Sequence, residues 1–229
     1  MTDAPEPVAR DVVAAITALA PDGVVCGSVV PAMTTALARE CTTARLPFRA
    51  LTYADFRRLM PMTVRAPLAP GVDRCANAYA LYRSTARPAA CVDAGTAVTL
   101  DILDAAGCFR GGAILPGSHL QLSALHRETA VLATRHALPP QNASLGSTTA
   151  AALAAGVFTG TYWAILGLLS QTARNVTGPF RSVVVTGGNG TRIARFLREH
   201  NVPAAYAAAH TLHGLLLASR KYGPLRSTS

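Results

Sequence analysis

The chain reads as an α/β fold in two closely packed lobes, and three observations carry this reading. Strand and helix alternate through residues 7–86, consecutive β-branched runs take over from Ala90, and a buried strand at 181–186 passes through a glycine turn into a helix. With 229 residues, half of them apolar and 14% charged, the chain can bury a full core and lies outside the disordered range.

Taken in order, PVARDVVAAITALA (7–20) places apolar groups at helical spacing, and DGVVCGSVVP reads as a buried strand stopped by Pro31. A helix over AMTTALARECTTA and a strand over LPFRALTY follow, which predicts a mainly parallel sheet in this half. Residues 55–70, rich in Pro and Arg, read as a connecting segment before a helix from about Asp73 to Ala86. ACVDAGTAVTLDILD predicts two strands around a turn, and Asp104-Ala105-Ala106-Gly107 turns into a third, CFRGGAILPG. Helices over HLQLSALHRETAVL and TTAAALAAGVFTGTYWAILGLLSQTARNV come next. The strand RSVVVTGG enters a helix GTRIARFLREH, and AAHTLHGLLLASRKYG closes as a helix. No low-complexity linker divides the chain, and the lobe boundary falls near Arg87-Pro88, giving a first lobe over 1–87 and a second over 88–229.

The net charge of +9 is diffuse: every cation but Lys221 is an arginine, spread from Arg10 to Arg226 with no run of three. A solvated Arg-rich surface accounts for that pattern, and no nucleic-acid partner is expected. Five separated cysteines with no C-x-x-C suggest neither a zinc site nor a disulfide framework, and six histidines without an H-x-x-x-H pair suggest no metal site of their own. Apolar runs are interrupted by Gly, Arg or Thr short of a membrane span, and the first residues are acidic where a signal peptide would be basic. A cytoplasmic location and no membrane partner are the expectation.

Two loops carry chemistry. In Asp93-Ala94-Gly95-Thr96, Gly95 admits a phosphate close to backbone N–H groups, Thr96 offers a hydroxyl and Asp93 can hold a cation; the same residues also form ordinary turns. In VVVTGGNG, Gly187 and Gly188 precede a helix N-terminus, where phosphate or adenosine can approach, although a tight strand–helix turn also needs glycine. Asp101 either reaches the cavity of Asp93 or caps the turn to Asp104.

Both loops in this order, with Gly111-Gly112 and Pro116-Gly117 between them, resemble the actin-like ATPase superfamily, a two-lobed ribonuclease H-like fold. More narrowly, PGVDR, DAGTAVTLD, GGAILPG, SALHRETAVL and STTAAALAAGVFTG resemble type III pantothenate kinase, over a stretch from Ser28 to the C-terminus. The resemblance implies phosphorylation of pantothenate to 4'-phosphopantothenate with ATP and Mg²⁺, at the first step of coenzyme A biosynthesis. It places Gly71, Val72, Asp73 and Arg74 on the family's Gly-x-Asp-Arg, with Asp73 as the general base and its neighbours binding pantothenate. Asp93 falls on a monovalent-cation ligand for K⁺ or NH₄⁺, Thr96 on an ATP contact and Thr149 on a substrate-binding threonine that can equally cap its helix. Trp163, Tyr162 and Phe158 read as core or interface, and the long helix is expected to pack between the subunits of a homodimer.

Two departures accompany the resemblance. Val64 stands where the family has a Tyr that contacts pantothenate, while Pro67 is kept, and no Asp-x-Gly-Asn-Thr phosphate loop with its Lys precedes Pro31. The first lobe is therefore expected to be truncated at its N-terminus, and the alternative to an active kinase is a shortened, catalytically inactive binding or regulatory relative.

Overall fold

A computed structural model describes residues 5–64, 69–129 and 145–223. In chain order the elements are α1 (Pro5–Thr17), β1 (Val24–Cys26), α2 (Pro31–Thr43), β2 (Phe48–Ala50), α3 (Tyr53–Leu59), α4 (Val72–Ser84), β3 (Ala89–Ala94), β4 (Ala97–Leu103) and β5 (Phe109–Pro116). They continue with α5 (Ser118–Glu128), α6 (Thr149–Ala154), α7 (Gly160–Thr172), β6 (Ser182–Thr186), α8 (Gly190–Glu199), β7 (Ala204–Tyr206) and α9 (His210–Ser219). Two compact units result, one of residues 1–84 with 210–229 and one of residues 85–209. Helix α9 thus joins the first unit, whereas the sequence reading ran the second lobe on to Ser229.

In the first unit β1 and β2 pair in parallel, Val24 opposite Phe48 and Cys26 opposite Ala50, with α2 as the crossover between them. Pro31 opens α2, where its missing N–H costs nothing and its fixed φ suits the first turn. The Pro- and Arg-rich stretch expected to be irregular begins with helix α3. Its start is fixed by Asp55, whose Oδ2 accepts from the Thr52 N–H at 2.8 Å and from the Thr52 hydroxyl at 2.7 Å. Helix α4 is the centre of this unit, with Cys75, Ala76, Asn77, Ala78, Tyr79, Ala80 and Leu81 all buried. Its residue Asn77, fully buried, is held by α9: the Thr211 hydroxyl donates to Asn77 Oδ1 at 2.7 Å, and His210 Nε2 lies 3.2 Å from the Asn77 carbonyl. A carbonyl only accepts, so Nε2 carries the proton of that imidazole.

Burial pushes the His210 imidazole down to about 4, with the neighbouring charge of His213 acting the same way and the Asn77 carbonyl opposing. The native protein then holds fewer protons than the unfolded chain between pH 6.5 and 4. Stability from this site is complete above about pH 6.5 and declines by up to about 3 kcal/mol as pH falls toward 4. Thermal melts across that range are expected to fall more steeply for the wild type than for His210→Gln, whose amide can still donate to Asn77.

The second unit is built on a five-stranded sheet of order β5-β4-β3-β6-β7. Strands β3, β4 and β5 form an antiparallel meander, while β6 pairs in parallel with β3 and β7 with β6. The turn between β4 and β5 closes on Asp104, whose Oδ1 accepts from the Cys108 N–H at 2.9 Å. Because side chains alternate across a strand, Ala90, Val92, Val98, Leu100, Val183 and Val185 face one way and bury against Val157, Ile165 and Leu169 of the long helix and Ile193 and Leu197 of α8. Each such side chain contributes about 1.5–3 kcal/mol by its burial.

Helices α6 and α7 run together as one helix, Thr149–Thr177, with π-helical turns at Ala155–Thr159 and Ala173–Thr177. By length and composition this helix could cross a membrane. Its buried face is, however, the cover of the sheet, the place of a core helix. The sequence placed a helix over 119–132; α5 ends at Glu128, and residues 130–132 lie outside those described.

Candidate functional site

Three loops of the second unit meet backbone to backbone at one end of the sheet. Gly95 and Thr96 form the turn between β3 and β4, where the Gly95 N–H donates to the Ala97 carbonyl at 3.1 Å. Past the end of β5, the Gly117 N–H donates to the Thr96 carbonyl at 2.9 Å. Past the end of β6, Gly187 takes φ +86°, and a Cβ on it would lie 2.6 Å from the Ala94 carbonyl oxygen. Only glycine combines that left-handed backbone with so close an approach. Gly188 differs, because a Cβ there would meet nothing within 4 Å. Gly95 and Thr96 are exposed at this end of the sheet, and a turn of small residues with an exposed hydroxyl suits a phosphate-bearing ligand.

Strand register sets the acidic side chains on the sheet face opposite the helical core. Asp93 stands across from Thr99 on β4 and from Thr186 on β6, and Asp101 stands across from Cys91. Asp93 is half-buried and Asp101 fully buried. The Thr99 hydroxyl lies 3.5 Å from Asp101 Oδ2. Burial pushes the Cys91 thiol well up, and the charges of Asp101 and then Asp93 add to it. Asp101 therefore shares the face of Asp93, while Asp104 caps its own turn. Among the described residues no group of three or more His, Cys, Asp or Glu could hold a metal ion. The carboxylate of Asp93 is a hard oxygen donor of the kind that cations such as Ca²⁺ and Mg²⁺ take.

In the first unit Gly71, Val72, Asp73 and Arg74 open helix α4, with the Gly71 carbonyl accepting from the Cys75 N–H at 3.1 Å. Asp73 Oδ1 accepts from the Arg74 N–H at 2.8 Å. A side chain at position 71 would run into that same oxygen and, at 2.9 Å, into Val29. The second oxygen of Asp73 has no protein partner among the described residues, and the side chain is only half-buried. One anchored and one open oxygen is the arrangement a base needs to take a proton from a bound hydroxyl. Val64 is half-buried, and its carbonyl accepts from the Tyr53 hydroxyl at 2.9 Å; Pro67 lies outside the described residues.

Thr149 is the first residue of the long helix, and the cap is its neighbour: Thr148 Oγ1 accepts from the Ala151 N–H at 3.2 Å. The side of Thr149 opens on a cavity of about 340 Å³ whose other walls include Gln121, Leu125, Leu153, Gly156 and Val157. Sequence reasoning found Thr149 but neither the cavity nor Gln121.

A family model described as type III pantothenate kinase matches residues 8–171. The type III pantothenate kinase of Rhodospirillum centenum is 33% identical over 200 residues, covering 85% of this chain and 74% of the relative. That of Acidiphilium cryptum is 32% identical over 219 residues, covering 89% and 75%. That of Paramagnetospirillum magneticum is 34% identical over 151 residues, covering 66% and 56%. The chain thus spans between about half and three quarters of the length of these curated relatives. Among solved structures, component A of the Acidaminococcus fermentans (R)-2-hydroxyglutaryl-CoA dehydratase covers 84% of this chain and 83% of its own at 14% identity and a TM-score of 0.42, too slight a likeness to bear an argument. The match over 8–171 and the two relatives aligned over most of the chain make it a member of the type III pantothenate kinase family, and with that of the actin-like ATPase superfamily.

Proposed function

We propose that the chain transfers the γ-phosphoryl group of ATP to the 4'-hydroxyl of pantothenate, giving ADP and 4'-phosphopantothenate at the first step of coenzyme A biosynthesis. The observation that carries this reading is Asp73, fixed through one oxygen at the start of α4 and open at the other. Its free oxygen takes the proton of the pantothenate hydroxyl as that hydroxyl oxygen attacks phosphorus. Gly71, Val72, Arg74 and Thr149 are the residues that the reading assigns to substrate binding. Gly95, Thr96, Gly187 and Gly188 receive the nucleotide, the first three through loops already packed on one another. Asp93 would hold K⁺ or NH₄⁺, which would supply positive charge to the nucleotide site. Mg²⁺, carried by the nucleotide, supplies neutralisation of phosphate charge when bound.

Such a protein works in the cytoplasm on a small molecule, without membrane or nucleic acid, and as a homodimer. Trp163 and Val176, large apolar residues exposed on the long helix, support the dimer. The test is ADP release from ATP with Mg²⁺ and K⁺, with and without pantothenate. Pantothenate-dependent release is expected, and equal release in both conditions contradicts the reading.

A further inference from the structure

We propose that Gln121 is a specificity-determining residue of the cavity beside Thr149, its side-chain carbonyl accepting a hydrogen bond from an N–H or O–H group on an otherwise apolar ligand body. This rests on the reading of the chain as a pantothenate kinase. At about 340 Å³ the cavity is of the size that takes a small molecule, and Leu125, Leu153, Gly156 and Val157 make its walls apolar.

The orientation of the Gln121 amide follows from its partners. Nε2 lies 2.8 Å from the Pro116 carbonyl and 2.9 Å from Thr161 Oγ1. The carbonyl can only accept, and the Thr161 hydroxyl gives its own proton to the Val157 carbonyl at 2.5 Å, so it too accepts from Gln121. Both amide protons are used, which fixes the nitrogen and leaves Oε1 as an acceptor with no partner among the described residues. A held acceptor in an apolar recess rewards a ligand that brings a donor and penalises one that does not. Pantothenate brings two donors next to its two methyl groups, the amide N–H and the hydroxyl beside the carbonyl.

The test is calorimetric binding of pantothenate, of its N-methylated amide and of the analogue lacking the hydroxyl beside the carbonyl, to the wild-type chain and to Gln121→Met. The wild type is expected to bind one of the two analogues about tenfold more weakly than pantothenate, and Gln121→Met to bring that ratio within about twofold. A structural bridge alone would weaken all three ligands alike, and an unchanged ratio in Gln121→Met overturns the proposal. Should Gln121→Met not fold, Thr161→Val, which frees the amide to rotate, is read in the same way: a reduced ratio supports the proposal and an unchanged one overturns it. Absence of pantothenate binding to the wild type overturns the kinase reading and this assignment together, whereas pantothenate binding without discrimination overturns the assignment alone.

Discussion

Replacing Asp73 by asparagine is expected to lower kcat for pantothenate phosphorylation by about 10²–10⁴-fold, the usual contribution of a positioned general base. The change is narrow in its structural consequences. Asn retains an oxygen that can accept from the Arg74 N–H, so the contact seen at 2.8 Å persists, and the half-buried site loses a charge without losing volume. The melting temperature is therefore expected to stay within a few degrees, and ATP affinity to change little. A variant with wild-type kcat would remove Asp73 from the chemistry, and a variant that unfolds would show the carboxylate to be structural.

Gly187→Ala is expected to damage both the fold and the nucleotide site. At φ +86° any L-residue is strained by about 1–2 kcal/mol, and the added methyl would press on the Ala94 nitrogen, carbon and oxygen at 2.6–2.8 Å. Backbone on both sides cannot yield as a flexible side chain would, so the turn into α8 must lift off β3, at a further cost of about 1–3 kcal/mol. A clear fall in melting temperature and at least a tenfold loss of ATP affinity are expected together. Gly188→Ala is the control, because a methyl there meets open space and its effect on stability is expected to be small. Equal melting temperatures for Gly187→Ala and the wild type would contradict the packing described at Ala94.

The contrast between these positions shows what could be read from the sequence and why. Strands β3, β4 and β6 were legible because they are nearly fully buried, and burial selects runs such as ACVDA and SVVVT. Helix α3 was hidden by the Pro and Arg around it, although Thr52 and Asp55, three residues apart, carried its start signal. Strand β7, three residues of Ala-Ala-Tyr, has no β-branched residue to announce it. The return of α9 to the first unit depends on Asn77 meeting Thr211, a contact between residues 134 positions apart with no local signature.

The site divides in the same way. Asp93, Gly95, Gly187 and Asp73 lie in short motifs whose residue types suit the chemistry, so they could be named before the fold was known. Which face Asp101 joins needed the register of β3 against β4. The cavity of Thr149 needed the meeting of two helices, since Thr149, Leu153, Gly156 and Val157 share a face of the long helix at ordinary helical spacing and Gln121 and Leu125 come from α5, a pairing with no local signature.

The central claim is the identity of the phosphorylated product, and mass spectrometry of the reaction tests it most directly. The protein is incubated with ATP, Mg²⁺, K⁺ and pantothenate, and the small molecules are analysed for a phosphate ester at the 4'-hydroxyl. 4'-Phosphopantothenate is expected in amounts equal to the ADP formed, and at a rate about 10²–10⁴-fold lower with Asp73→Asn. ADP without phosphopantothenate, or no turnover at all, would contradict it.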